Sequence, residues 1–168
     1  MKKNQKGLTL VELLIVIAVI AILAAVSFVA IDPASRFAEA RNAQRWSDVS
    51  TIMEGVQQAF VDDEGDMSSG KKLASVNKVS TTVQVITSGT ADCSSLTCSG
   101  QSLGVDAACA DLSGLTGEYF SEVPVDPSTG KTSDSQYYVD YNSGIFTIGS
   151  CDPEAEKDGS TPTIRVSR

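Results

Sequence analysis

Hydrophobic and polar positions divide this chain into three regimes. From Leu8 to Ile31 it reads LTLVELLIVIAVIAILAAVSFVAI, with one charge at Glu12 and neither glycine nor proline. About 20 apolar residues in helical conformation cross the hydrocarbon core of a bilayer. Here they lie all round the helix instead of along one stripe, which suits lipid or tight helix packing. Glu12 is the anomaly. A carboxylate in a spanning segment costs about 2.5–3.5 kcal/mol and requires a partner.

Asp32-Pro33 interrupts this pattern, and an amphipathic one follows. Trp46, Val49, Ile52, Met53, Val56 and Phe60 recur at three- and four-residue steps, with charges on the other faces. The pattern predicts one long helix from Leu8 to about Asp62, bent near Pro33, with Asp32 capping the outer segment. A soluble domain is expected to pack on the outer apolar stripe. Asp62-Asp63-Glu64-Gly65-Asp66 reads as a solvated helix end with Gly65 in the terminal turn, since a calcium loop needs a fuller set of alternating oxygens.

The third regime alternates with period two. Val79, Thr81, Val83 and Val85 predict a strand to about Thr87, after a loop over Met67–Lys78. Ser88–Gly117 reads as loop with one helical turn near Ala107–Leu112, and Tyr119–Val123 as a short strand. Tyr137–Tyr141 and Ile145–Ile148, joined through Asn142-Ser143-Gly144, give the clearest hairpin pattern in the chain. Thr163–Val166 adds an edge strand. The fold class expected is α+β: a long N-terminal helix, its inner half transmembrane, packed on a small antiparallel β-sheet.

Charge orients this layout. Lys2, Lys3 and Lys6 precede the apolar run and Asp32 follows it, so the positive-inside rule places the N-terminus in the cytoplasm and the remainder outside. A secretory signal peptide shares the basic start, but this apolar run is too long for one. Losing the three lysines would take the net charge from −8 to −11, which repels nucleic acid and anionic surfaces; no specific nucleic-acid partner is expected. Arg36, Arg41 and Arg45 form a small basic patch just beyond the membrane. They are a solvated face, contacts to lipid headgroups, or partners for acidic faces of neighbouring subunits.

Histidine is absent, which removes the commonest general base and metal ligand. No catalysis, cofactor or metal is expected. The cysteines Cys93, Cys98, Cys109 and Cys151 form no Cys-x-x-Cys pair and fall on the outer side, where disulfides persist. Of three possible pairings, a local Cys93–Cys98 clasp with a long Cys109–Cys151 bridge is the one expected. VDPSTGKT at Val125–Thr132 nearly matches a phosphate-binding loop, yet Val125 replaces the first glycine and Pro127 lacks an N–H. It reads as a turn.

KGLTLVELLIVIAVIAILAA closely resembles the N-terminus of type IV pilins and type II secretion pseudopilins, over about Lys2 to Ala25. The shared features are a short basic leader, Gly7, a hydrophobic residue, Thr9-Leu10, and Glu12 fifth after the glycine; Leu8 departs from the usual phenylalanine. The resemblance implies cleavage after Gly7 by prepilin peptidase and N-methylation of Leu8. It also implies assembly with other pilin subunits on an inner-membrane platform, and a pilin-like fold. Residues 1–7 are then a leader, 8–31 the transmembrane and filament-core helix, 32–64 its amphipathic continuation and 65–168 an extracellular β domain. In the family, Glu12 answers the new amine at Leu8 of a neighbouring subunit, while Ala18, Ala21, Ala24 and Ala25 permit close helix approach. The expected function is a structural subunit of a type IV pilus-like filament. The rivals are a secretion pseudopilin and a monomeric membrane-anchored binding protein.

Overall fold

The computed structural model describes residues 9–76, 83–89, 96–99, 101 and 109–168. Two helices come first, α1 over Leu10–Ile31 and α2 over Pro33–Asp62. Thr9 caps α1 in a reciprocal box: its hydroxyl accepts from the Glu12 N–H, and its own N–H donates to the Glu12 carboxylate. The helical run breaks at Asp32, which adopts the left-handed conformation with φ of 44°. Proline at the first position of α2 favours a non-helical residue before it. The expected capping by the Asp32 side chain is absent, because that backbone turns the carboxylate away; instead the Ser35 hydroxyl donates to the Asp32 carbonyl at 3.0 Å.

Five strands follow: β1 Gln84–Thr87, β2 Cys109–Asp111, β3 Tyr137–Asn142, β4 Ile145–Ser150 and β5 Arg165–Ser167, in the order β2-β1-β3-β4-β5. The α+β class holds, but the sheet is mixed, since β2 runs parallel to β1. The hairpin forms as predicted, with strands one or two residues longer. Ser143 and Gly144 take φ of 53° and 89°, the pair of positive values that a two-residue turn matching the strand twist requires.

Two smaller expectations fail. Cys109–Asp111 is a strand, not part of a helical turn, because Ala110 is drawn into the core beside β1; a 3-10 turn follows at Ser113–Leu115. Tyr119–Val123 is no strand: an isolated bridge joins Thr116 to Phe120 around a turn, and the segment folds Phe120 and Val123 onto the core. Of the strand expected from Val79 to about Thr87, Gln84–Thr87 is present as β1, and residues 79–82 lie outside the described set.

The core is a sandwich of α2 and one sheet face. Val49, Ile52, Met53, Val56 and Ala59 meet Ile86, Tyr137, Val139 and Ile148. Leu73 and Leu112 close it from the loops. All of β1 is buried, because the second face of the sheet is covered as well. There Val83, Val85 and Tyr138 pack against a disulfide between Cys98 and Cys151. Both expected pairings are therefore wrong. Cys109 is also disulfide-bonded, and Cys93 lies outside the described residues. The bridge fastens the loop layer to the end of β4, covering apolar strand residues that simple alternation would have left to solvent. At the other end, Gly65 with φ of 76° closes α2 by donating to the Phe60 carbonyl, as predicted. The acidic run is not idle: Asp62 accepts from the Tyr119 hydroxyl and Asp63 from the Lys72 N–H.

Cys98 and Cys151 are 53 residues apart. A crosslink closing a loop of that length contributes about 4 kcal/mol in chain-entropy terms. The Cys98→Ser, Cys151→Ser double variant is expected to lose about that much in denaturant titrations in detergent, with its helix content unchanged.

Candidate functional site

The first half of the site is α1 itself. From Leu10 to Phe28 every side chain is exposed, and nothing among the described residues covers this apolar stretch. Ser27 is satisfied within the helix, donating to the Leu23 carbonyl at 2.8 Å. Each large apolar side chain left uncovered forgoes about 1.5–3 kcal/mol of burial, so the helix calls for lipid or other helices along its whole length. Glu12 sits one turn in. Its carboxylate takes two bonds from Thr9, from the backbone N–H and the hydroxyl, both at 2.8 Å, through the same oxygen. The second oxygen receives no hydrogen bond among the described residues and is open to a donor from outside. Gly7 and Leu8, the predicted processing residues, lie outside the described set.

The second half lies where α2 leaves the membrane end. The buried face of α2 is continuous at three- and four-residue steps, but its first part is polar: Ala38, Asn42, Arg45 and Asp48 precede Val49 and Ile52. Arg45, expected in a surface patch, has no exposed side-chain area. Its guanidinium donates to Asp126 at 2.6 and 3.0 Å, to Ser128 at 2.9 Å, to Glu154 at 2.9 Å and to the Asn42 side chain at 2.9 Å. Arg41 forms a two-pronged pair with Glu154, and Arg36 pairs with Glu39 at 3.0 Å. Arg45 is thus answered inside its own chain and leaves the expected patch, whereas Arg36 keeps 59% of its side chain exposed in its surface pair with Glu39. Asn42 completes the contact by gripping the Glu154 backbone, donating to its carbonyl at 2.8 Å and accepting from its N–H at 3.1 Å.

Asp126 is held by the turn that the sequence suggested. The N–H groups of Ser128 and Thr129 donate to its carboxylate, and the Gly130 N–H donates to its carbonyl at 3.1 Å. A side chain on Gly130 would strike the Asp126 backbone at 2.2 Å. Val125–Thr132 is a structural turn whose N–H groups face inward to its own carboxylate. Burial by itself would raise the Asp126 pKa, but the bonds from Arg45 and from the Ser128 and Thr129 N–H groups outweigh it and hold the acid below its usual range. Hydrogen bonding from Arg41, then from Arg45, lowers Glu154 to about 2 against the opposing effect of burial.

Sequence periodicity missed Arg45 as a buried residue and misplaced Trp46, which is 43% exposed and joins neither apolar cluster. The missed signal was that Asn42, Arg45 and Val49 share one stripe. A charge on a buried stripe requires a partner, and here the partner lies 81 residues away.

Residues 2–28 match the family described as the prokaryotic N-terminal methylation motif, the class III signal of type IV pilins and pseudopilins. No curated protein and no solved structure matches the chain. The motif together with the long apolar helix fits a single-pass membrane-anchored protein that prepilin peptidase processes.

Removing one member of a buried ion pair leaves the other uncompensated, a loss of about 3–5 kcal/mol. Arg45→Met and Asp126→Ala are each expected to cost that much in denaturant titrations, while the double variant costs less than the sum of the two. Both acids titrate below their unfolded values, so their contribution is lost as pH falls; for Glu154 it is complete above about pH 4.5 and lost as pH falls toward about 2, and Asp126 adds a loss in the same direction. Melting temperature should drop across that window in the unsubstituted chain, and less steeply in Glu154→Gln.

Proposed function

We propose that this chain is a structural subunit that polymerises through α1 into a type IV pilus-like filament. The reading rests on one observation: α1 combines an N-terminal methylation motif with a wholly uncovered apolar surface and a single acid at Glu12. Cleavage between Gly7 and Leu8 would create a cationic amine four residues before Glu12, at the same end of the helix. The open oxygen of Glu12 would accept from the amine of a neighbouring subunit, bringing two charges together where the dielectric is low. The apolar helix would exchange lipid for the helices of other subunits, with Ala18, Ala21 and Ala25 on one face allowing close approach.

In this reading the subunit does no chemistry of its own; its work is assembly on an inner-membrane platform. Lys2, Lys3 and Lys6 would hold the N-terminus in the cytoplasm, so that α2 and the sheet fold outside and carry their disulfides there. The same parts serve a secretion pseudopilus. Long surface fibres at native expression are the outcome that assigns the chain to a pilus.

Intact-mass measurement and N-terminal sequencing of membrane-extracted protein should find residues 1–7 removed and one methyl added at Leu8; an intact Met1 would overturn the reading. Glu12→Ala is expected to lower the yield of sheared filaments by about tenfold or more, with the melting temperature of the outer domain unchanged. Undiminished filaments from that variant would remove Glu12 from assembly.

A further inference from the structure

The outer domain leaves a short collar of helix bare. Every residue of Pro33–Phe37 is exposed or half-exposed, and Ala38 is the first residue of α2 that is buried. Two side chains mark this collar. Phe37 is 63% exposed and joins neither apolar cluster. Arg36 donates from one terminal nitrogen to Glu39 at 3.0 Å, and its other N–H groups have no acceptor among the described residues. A bare aromatic ring and a cation with donors to spare thus stand side by side between the apolar helix and the folded domain.

We propose that this collar sits in the phosphate layer of the outer leaflet, with Phe37 against the headgroup–acyl boundary and Arg36 donating to lipid phosphate. The inference rests on the membrane reading of α1 and not on polymerisation. Lengths carry it. From Glu12 to Ile31 the helix rises about 29 Å, close to the thickness of a hydrocarbon core, about 30 Å. The headgroup region adds about 5–7 Å on each side. Pro33–Phe37 covers about 7 Å of helix before the domain begins at Ala38. Apolar core, headgroup layer and folded domain therefore follow one another along the chain at the spacing that a bilayer prescribes. Trp46, nine residues beyond Phe37, lies about 14 Å farther out and stays in water. The collar is continuous with the uncovered surface of α1, so lipid that surrounds the one also meets the other. The chemistry agrees: a phosphodiester offers the paired oxygens that a guanidinium fork takes, and a phenyl ring at the acyl boundary is covered without drying a polar group. With a net charge of −8 the chain is suited to zwitterionic phospholipid rather than to an anionic surface. Held at this depth, the collar fixes Glu12 about 37 Å away, at the cytoplasmic edge of the core and beside the cleavage point after Gly7.

The test uses the full chain in phosphatidylcholine vesicles that carry a spin label either on the headgroup or at the end of the acyl chain. Trp46 is the sole tryptophan, so the unsubstituted chain reports from its position and a Phe37→Trp, Trp46→Phe chain reports from the collar. The headgroup label is expected to quench the collar tryptophan several times as strongly as it quenches Trp46, and more strongly than the acyl-end label does. Adding Arg36→Gln should weaken that quenching while leaving the melting temperature of the outer domain unchanged. Equally weak quenching at the two positions, or stronger quenching from the acyl end, overturns the placement and leaves α1 as a membrane span. Quenching that Arg36→Gln does not alter overturns the phosphate contact. A chain that fails to enter the vesicles overturns the membrane reading together with this one.

Discussion

A fully buried arginine sets the terms for the outer domain. Arg45 brings a permanent charge into the seam between α2 and the sheet, and such a charge is tolerable only with acceptors and a counter-charge around its guanidinium, each of whose three nitrogens donates here. Asp126, Glu154, Ser128 and Asn42 supply those acceptors. They come from the helix, the Asp126 turn and the segment after β4, three parts of the chain far apart in sequence. Satisfying one side chain thus fixes where two long connections lie. The apolar contacts of Val49, Ile52 and Val56 hold the far half of α2 to the sheet, but they are less particular about angle. Directional bonds at one end and apolar packing at the other together specify a single seating.

The inner helix is organised on the opposite principle. α1 has almost no internal polar demands: the Thr9–Glu12 box answers its start and Ser27 bonds to its own helix. What it lacks is cover. A helix so complete in its hydrogen bonds and so incomplete in its packing is stable only among lipids or other helices. The break at Asp32 separates the two regimes, since a left-handed residue followed by proline interrupts the hydrogen-bond ladder.

How far the sequence could be read depended on whether partners were near in sequence. The hairpin was legible because its turn residues and alternating strands sit side by side. The Leu10–Ile31 helix was legible because nothing but an apolar surrounding suits it. Arg45 was not legible: its acceptors lie 81 and 109 residues away, and no local pattern announces them. The Cys98–Cys151 bridge escaped for the same reason, since spacing alone cannot choose among pairings. β2 was hidden because a three-residue parallel strand gains its stability from burial of Ala110 against β1, a long-range contact with no period of its own. Trp46 fitted the stripe by spacing but fell at its margin, where about 60° of rotation moves a side chain from the core to the surface.

The position of the Arg45 clasp has a mechanical consequence. Tension drawn along α1 and α2 reaches the outer domain first at its near end, where Arg41 and Arg45 grip Glu154. Glu154 is three residues beyond Cys151, and the covalent bridge from Cys151 carries the load across to the loop layer behind the sheet. Force is therefore shared among several ion pairs sheared in parallel, then passed to a bond that noncovalent loads do not break.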